Sequence, residues 1–133
     1  MRSTPLLFEA PVTTDVTLVT TAETVIAALV GVSNYQAGQP VQLRGWCQWT
    51  PGTGTTGFTL RIRQGTDATG ALVGEANAEG IEGAVGATED HEIELTHLPA
   101  GELANAGYVL TLQQAAASAN GTVVQAKLEA VVG

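Results

Sequence analysis

Apolar and polar residues alternate along most of this chain, and clusters of Gly, Pro, Asn and Thr separate the alternating runs. Successive side chains of an extended strand point to opposite faces, so each run specifies a strand with one face in a core and the other in water. Val41, Leu43, Gly45, Cys47 and Trp49 fall on one face, with Gln42, Arg44, Trp46 and Gln48 on the other. The turn-forming stretch PGTGTTG at 51–57 breaks the pattern, after which Phe58, Leu60 and Ile62 alternate with Thr59, Arg61 and Arg63. These two runs read as a β-hairpin whose outer face gathers Arg44, Arg61 and Arg63, three of the five basic residues. Ile93 and Leu95, then Tyr108, Leu110 and Leu112, then the even positions from Val124 to Val132 repeat the pattern.

Runs at 12–20, 25–33, 41–49, 58–64, 71–74, 91–96, 107–113 and 122–132 make about eight strands. That number suits an all-β, two-sheet antiparallel β-sandwich. The sparse stretch 65–90, with only Ala71, Leu72 and Val73 as a short apolar run, favours a jelly roll over an up-and-down barrel. Leu43, Phe58, Leu60, Ile62, Ile93, Leu95, Tyr108, Leu110, Leu112 and Leu128 are expected inside. Residues 12–133 form one sandwich domain and residues 1–11 an N-terminal arm. Residues 25–32 are apolar on both faces, Val25, Ala27 and Leu29 on one, Ile26, Ala28, Val30 and Val32 on the other. A strand of this kind needs a second cover, and a subunit interface supplies one; a short helix from Thr21 or Thr24 is the alternative, disfavoured by four β-branched residues.

Charge narrows the partners. A net charge of −8 has the wrong sign for tracking phosphates, which excludes nucleic acid as a direct partner. No apolar stretch is long enough to cross a bilayer as a helix, and no basic, apolar and small-residue regions follow in order at the N-terminus, so a soluble, unprocessed protein with no membrane partner is expected. The single cysteine, Cys47, excludes an intrachain disulfide and a multi-cysteine zinc site, and its place between Trp46 and Trp49 marks it as a buried thiol.

Residues that carry chemistry do not assemble into a catalytic pattern. His91 and His97 share a strand face but lie too far apart for one metal ion, and hydrogen-bonded or interface roles suit them better. Glu75, Glu79, Glu82, Glu89, Asp90, Glu92, Glu94 and Glu102 lack the spacing of a calcium loop and read as a solvated acidic face. Gly52, Gly54 and Gly57 have no following Lys, and Ser3, Ser33 and Ser118 lack the setting of a nucleophile. Asn120-Gly121-Thr122 matches a glycosylation sequon but reads as a turn. The expectation is a protein that is not an enzyme and takes no metal or cofactor.

Residues 38–46 (GQPVQLRGW), 50–56 (TPGTGTT), 60–70 (LRIRQGTDATG), 108–114 (YVLTLQQ) and 119–124 (ANGTVV) resemble short β-sandwich proteins encoded among phage virion genes. The likeness spans residues 25–133 and consists of strand-and-turn patterns rather than a catalytic fingerprint. It implies a jelly-roll homotrimer that decorates or cements a capsid, or serves as a head-fibre or tail component. The short stretch before the first strand favours decoration over a fibre. On this expectation the major capsid protein is the partner, and the protein is made in the host cytoplasm and ends on the capsid surface of the virion. Val25, Ile26, Ala28, Val30, Val32 and Trp46 would form the oligomer interface. Leu6, Leu7 and Phe8, between Pro5 and Pro11, would lie extended against the capsid, or fold back over the chain's own sandwich. The rival reading is a carbohydrate- or receptor-binding module of a phage fibre or tail. Trp46, which interrupts a polar face, separates the two: exposed, it stacks on a sugar; buried between subunits, it anchors a trimer.

Overall fold

Each alternating run becomes a strand in the computed structural model, which describes residues 6–17, 21–33, 39–50, 58–78, 88–99, 101–114 and 121–132. The strands are β1 (Leu6–Glu9), β2 (Thr13–Thr17), β3 (Thr24–Val32), β4 (Val41–Thr50), β5 (Phe58–Gln64), β6 (Ala71–Ala78), β7 (Glu89–His97), β8 (Ala106–Gln114) and β9 (Thr122–Val132). They form two antiparallel sheets. The first runs β9-β4-β7, with β1 and β2 both on the free side of β9; the second runs β3-β8-β5-β6.

β1 pairs with residues 129–132 of β9 and β2 with residues 122–126, so the two occupy one strand position broken around Pro11. This reconciles the eight expected strands with nine observed, and the sheet orders are those of a jelly roll. Of the two placements expected for the N-terminal arm, its second half takes the one folded back on the sandwich. Leu6–Glu9 folds back as an edge strand, and Ala10 N–H donates to Leu128 O at 2.9 Å. Met1 to Pro5 lie outside the described residues, as do the glycine loop at 51–57, Glu79, Glu82, Ser3, Ser118 and Asn120.

The inner faces carry the core. Nine of the ten residues expected inside are buried, and Leu95 is half-buried against them. Gly45 occupies an inward position on β4 because its neighbours leave no room for a side chain: a Cβ there would lie 2.8 Å from Leu110 Cδ1 and 3.0 Å from Ile93 Cγ2. Gly74 on β6 makes the same allowance for Leu95, whose Cδ2 would come within 2.5 Å of an added Cβ.

The expected β4–β5 hairpin does not form. β4 pairs with β7 and β9, β5 with β6 and β8, and the chain between them crosses from one sheet to the other. Strand alternation identifies an inner and an outer face but not the sheet, and that is why sequence joined them.

β3 also differs from its reading. Register shifts between Val25 and Ala27 and between Leu29 and Val32, the second at Gly31 with φ of +78°, change the phase twice. Ile26, Ala27, Leu29 and Val32 all reach the core, whereas Ala28 and Val30 face outward. Of the five residues of β3 expected at an interface, Ile26 and Val32 are thus core residues.

Candidate functional site

The two outer faces display the side chains available to partners. On the first sheet, cross-strand pairing arranges them in rows. Leu7, Val131, Gln42 and Thr96 form one row; Glu9, Glu129, Arg44 and Glu94 the next; Lys127, Trp46 and Glu92 a third; and Thr14, Gln125, Gln48 and Asp90 a fourth. Arg44 donates to Glu92 Oε1 at 2.6 Å and lies 3.5 Å from Glu94 and 4.0 Å from Glu129. Lys127 bridges Glu9 at 3.4 Å and Glu129 at 3.8 Å, which relieves the repulsion of two directly opposed glutamates. Trp46 sits half-buried in the middle of this field. A shallow depression of about 330 Å³ is lined by Arg44, Trp46, Glu92, Lys127 and Glu129. A second, of about 340 Å³, shares Arg44 and Glu129 and extends over Gln42, Glu94, Thr96 and Val131.

The outer face of the second sheet is a closed ion network. Glu23, at the entry to β3, accepts from Arg63 Nε at 2.6 Å and Nη2 at 2.9 Å, from Arg61 Nη1 at 3.2 Å and from Thr111 Oγ1 at 2.6 Å. Arg61 also donates to Glu75 and Gln113, and Arg63 to Gly70 O. Hydrogen bonding from Arg63, added to by Thr111 and the two guanidinium charges, holds the Glu23 carboxyl below its ordinary range against an opposing push from burial. The Glu23 side chain is only 14% exposed, so the network clamps the start of β3 onto β5 and β8. The arginine trio expected on one face is thereby split: Arg61 and Arg63 lie on this sheet and Arg44 on the opposite side of the sandwich. Sequence reasoning missed Glu23, although it is the only acid between Asp15 and Asp67.

Val30 is 72% exposed beside Ala28 at the free edge of the second sheet, and Val25 is half-buried there. Among the described edge strands, β3 alone carries no charged residue: β1 has Glu9, β2 Asp15, β6 Glu75 and β7 a run of acids. Leu7 is 57% exposed on the other sheet, Leu6 is exposed beside it, and Phe8 turns inward against the core. The structure does not bring Trp46 together with the β3 residues; the two lie on opposite outer faces.

The histidines stay apart. His97 Nδ1 is 2.8 Å from the Tyr108 hydroxyl, and His91 meets Phe58 edge-on at 4.7 Å and Glu89 at 3.2 Å. Burial pushes the Tyr108 phenol up to about 12 and lowers the His97 imidazole below its ordinary 6.5, so both are neutral at pH 7. Cys47 is fully buried, and desolvation, with a smaller push from Asp90, raises its thiol to about 12. Among the described residues no group of three or more His, Cys, Asp or Glu could hold a metal ion, and no helix is long and apolar enough to cross a membrane.

No protein-family model matches the sequence, and no curated protein matches it significantly. The fold does have counterparts. A chain in the structure of infectious bursal disease virus Gx strain aligns over 96% of this protein with a TM-score of 0.58 at 10% identity. The VP2 subviral particle of the same virus gives 0.54 at 11% identity over 96%. This protein spans about a third of the length of those chains, 32% in both cases. A carbohydrate-binding module, CBM35 from Cellvibrio japonicus Abf62, aligns over 94% of this chain and 92% of its own at 12% identity, with a TM-score of 0.46. The likeness is one of fold: a jelly-roll β-sandwich like part of a viral particle protein.

Proposed function

We propose that this protein is a structural virion component of a bacteriophage, a homotrimer that binds the capsid exterior and stabilises it. The observation that carries the reading is β3, an uncharged edge strand that leaves Val30 72% exposed on an otherwise acidic molecule. Edge strands are ordinarily protected by charge, and a bare one is suited to association. With a net charge of −8, copies meet most readily where no charge opposes them. Val25, Ala28 and Val30 form the subunit contact, and the count of three follows the resemblance of the sequence to phage virion proteins. Leu7, with Leu6, supplies an apolar contact for the major capsid protein on the other sheet. The fold shared with a viral particle protein supports the same reading without deciding it.

Sedimentation equilibrium tests the subunit contact. The expected mass is three times the 13.6 kDa chain, and Val30→Asp is expected to give a folded monomer. A parent protein that stays monomeric at micromolar concentration and above would remove the oligomer and much of the support for an assembly role.

A further inference from the structure

We infer that the outer face of the first sheet, centred on Trp46, binds a neutral polysaccharide. This does not rest on the subunit contact proposed above, because Trp46 lies on the opposite outer face from β3; Leu7 shares the Trp46 face, two rows away beside Val131. An indole on a sheet face offers a flat apolar platform to the C–H face of a sugar ring, and hydroxyls around the ring need donors and acceptors that are not already satisfied. Both are present. Among the described residues, no side-chain hydrogen bond involves the Trp46 indole N–H, Gln48 or Gln125. Gln48 is the next outward residue along β4, and Gln125 stands directly opposite it on β9, where a register shift follows between Gln48 and Trp49. Gln48 and Gln125 thus lie in the outward row next to Trp46, while Arg44, Glu92, Lys127 and Glu129 line with Trp46 the depression of about 330 Å³, within the size range of small-ligand sites of roughly 300–1,000 Å³. The second depression continues past Arg44 and Glu129 toward Gln42 and Thr96. From Gln42 to Gln48 the face extends roughly 20 Å, long enough for several sugar rings.

Charge selects among occupants. Glu9, Asp90, Glu92, Glu94 and Glu129 outnumber Arg44 and Lys127, whose nearest partners are those glutamates. A second copy would bring the same acidic face against itself, and an anionic polymer would meet repulsion. A neutral glycan meets neither, and it also accepts hydrogen bonds from the cations and donates to the carboxylates.

Affinity electrophoresis of the whole protein tests the inference, in native gels containing a mannan, a galactomannan, an α-glucan or a β-glucan, with alginate as the acidic control. At least one neutral polymer is expected to retard the protein, and oligosaccharides cut from it to shift the fluorescence of Trp46 while Trp49 stays buried. Trp46→Ala is expected to weaken binding tenfold or more, Trp46→Phe to restore much of it, and Gln48→Ala or Gln125→Ala to weaken it several-fold. Thermal unfolding of each variant shows whether it is folded. Absence of retardation in every neutral gel, retardation by alginate alone, or equal binding by a folded Trp46→Ala variant would overturn the inference. Binding by the parent that a folded Trp46→Ala variant loses, with sedimentation unchanged, would support it independently of subunit assembly.

Discussion

Gly45→Ala adds a single methyl at the tightest point of the core. Its Cβ would lie 2.8 Å from Leu110 Cδ1, 3.1 Å from Leu110 Cδ2 and 3.0 Å from Ile93 Cγ2. Carbon pairs prefer about 3.5–4.0 Å, so buried side chains on β7 and β8 must each give by several tenths of an ångström in a close-packed interior. Overpacking of this kind costs about 1–3 kcal/mol. Leu110→Ala, at a fully buried position, is expected to cost about 2–5 kcal/mol through lost burial and a cavity. The double variant is the informative one. With both Leu110 Cδ atoms gone, the alanine methyl enters the space they left, so the pair should be less destabilised than the sum by roughly 1–3 kcal/mol. Thermal unfolding at one fixed protein concentration reads this out, each kcal/mol corresponding to roughly 3–4 °C for a chain of 133 residues. Strict additivity would refute the placement of Leu110 against Gly45, and with it the facing of β4 and β8 across the core.

The Glu23 network should appear in the acid limb of stability. Its folded carboxyl is held below the unfolded value near 4.5, so its contribution is fully present above that value and is lost as pH falls through the lower folded one; Glu23→Gln should flatten this limb in pH-dependent unfolding. His97, lowered by burial, acts earlier, its penalty growing as pH falls below 6.5. Cys47 should resist a thiol reagent in the native protein at pH 8 and react on unfolding, as a thiol raised to about 12 by burial must; rapid native labelling would contradict its placement. Deleting residues 2–10 should lower the melting temperature because β1 pairs with β9, whereas an arm reserved for the capsid would leave it unchanged.

Much of this fold is legible along the chain because alternation reports burial directly. Tyr108, Leu110 and Leu112 face the core as their spacing requires. What alternation cannot report is sheet membership. β4 and β5 alternate alike, yet lie in opposite sheets, and for that reason Arg44 was joined to Arg61 and Arg63. β3 hides its facing behind two irregularities of register, which turn four apolar residues inward and leave Ala28 and Val30 exposed with Val25 half-buried. Leu6, Leu7 and Phe8 show no alternation, and only the pairing with β9 reveals a strand. Trp46 was visible as an interruption of a polar face, but its surroundings depend on β7 and β9, some 45 and 80 residues away along the chain, at Glu92 and Lys127. Glu23 gave no periodic signal because its role comes from tertiary contact with Arg61, Arg63 and Thr111.

The composition of purified virions tests the assembly role most directly. Quantitative mass spectrometry of particles freed of unbound protein is predicted to find this chain at a fixed ratio to the major capsid protein, in copies divisible by three per particle. Its loss should follow Leu7→Asp, while the variant stays folded and oligomeric. Absence from washed virions, or an amount that drifts between preparations, would contradict a capsid decoration protein.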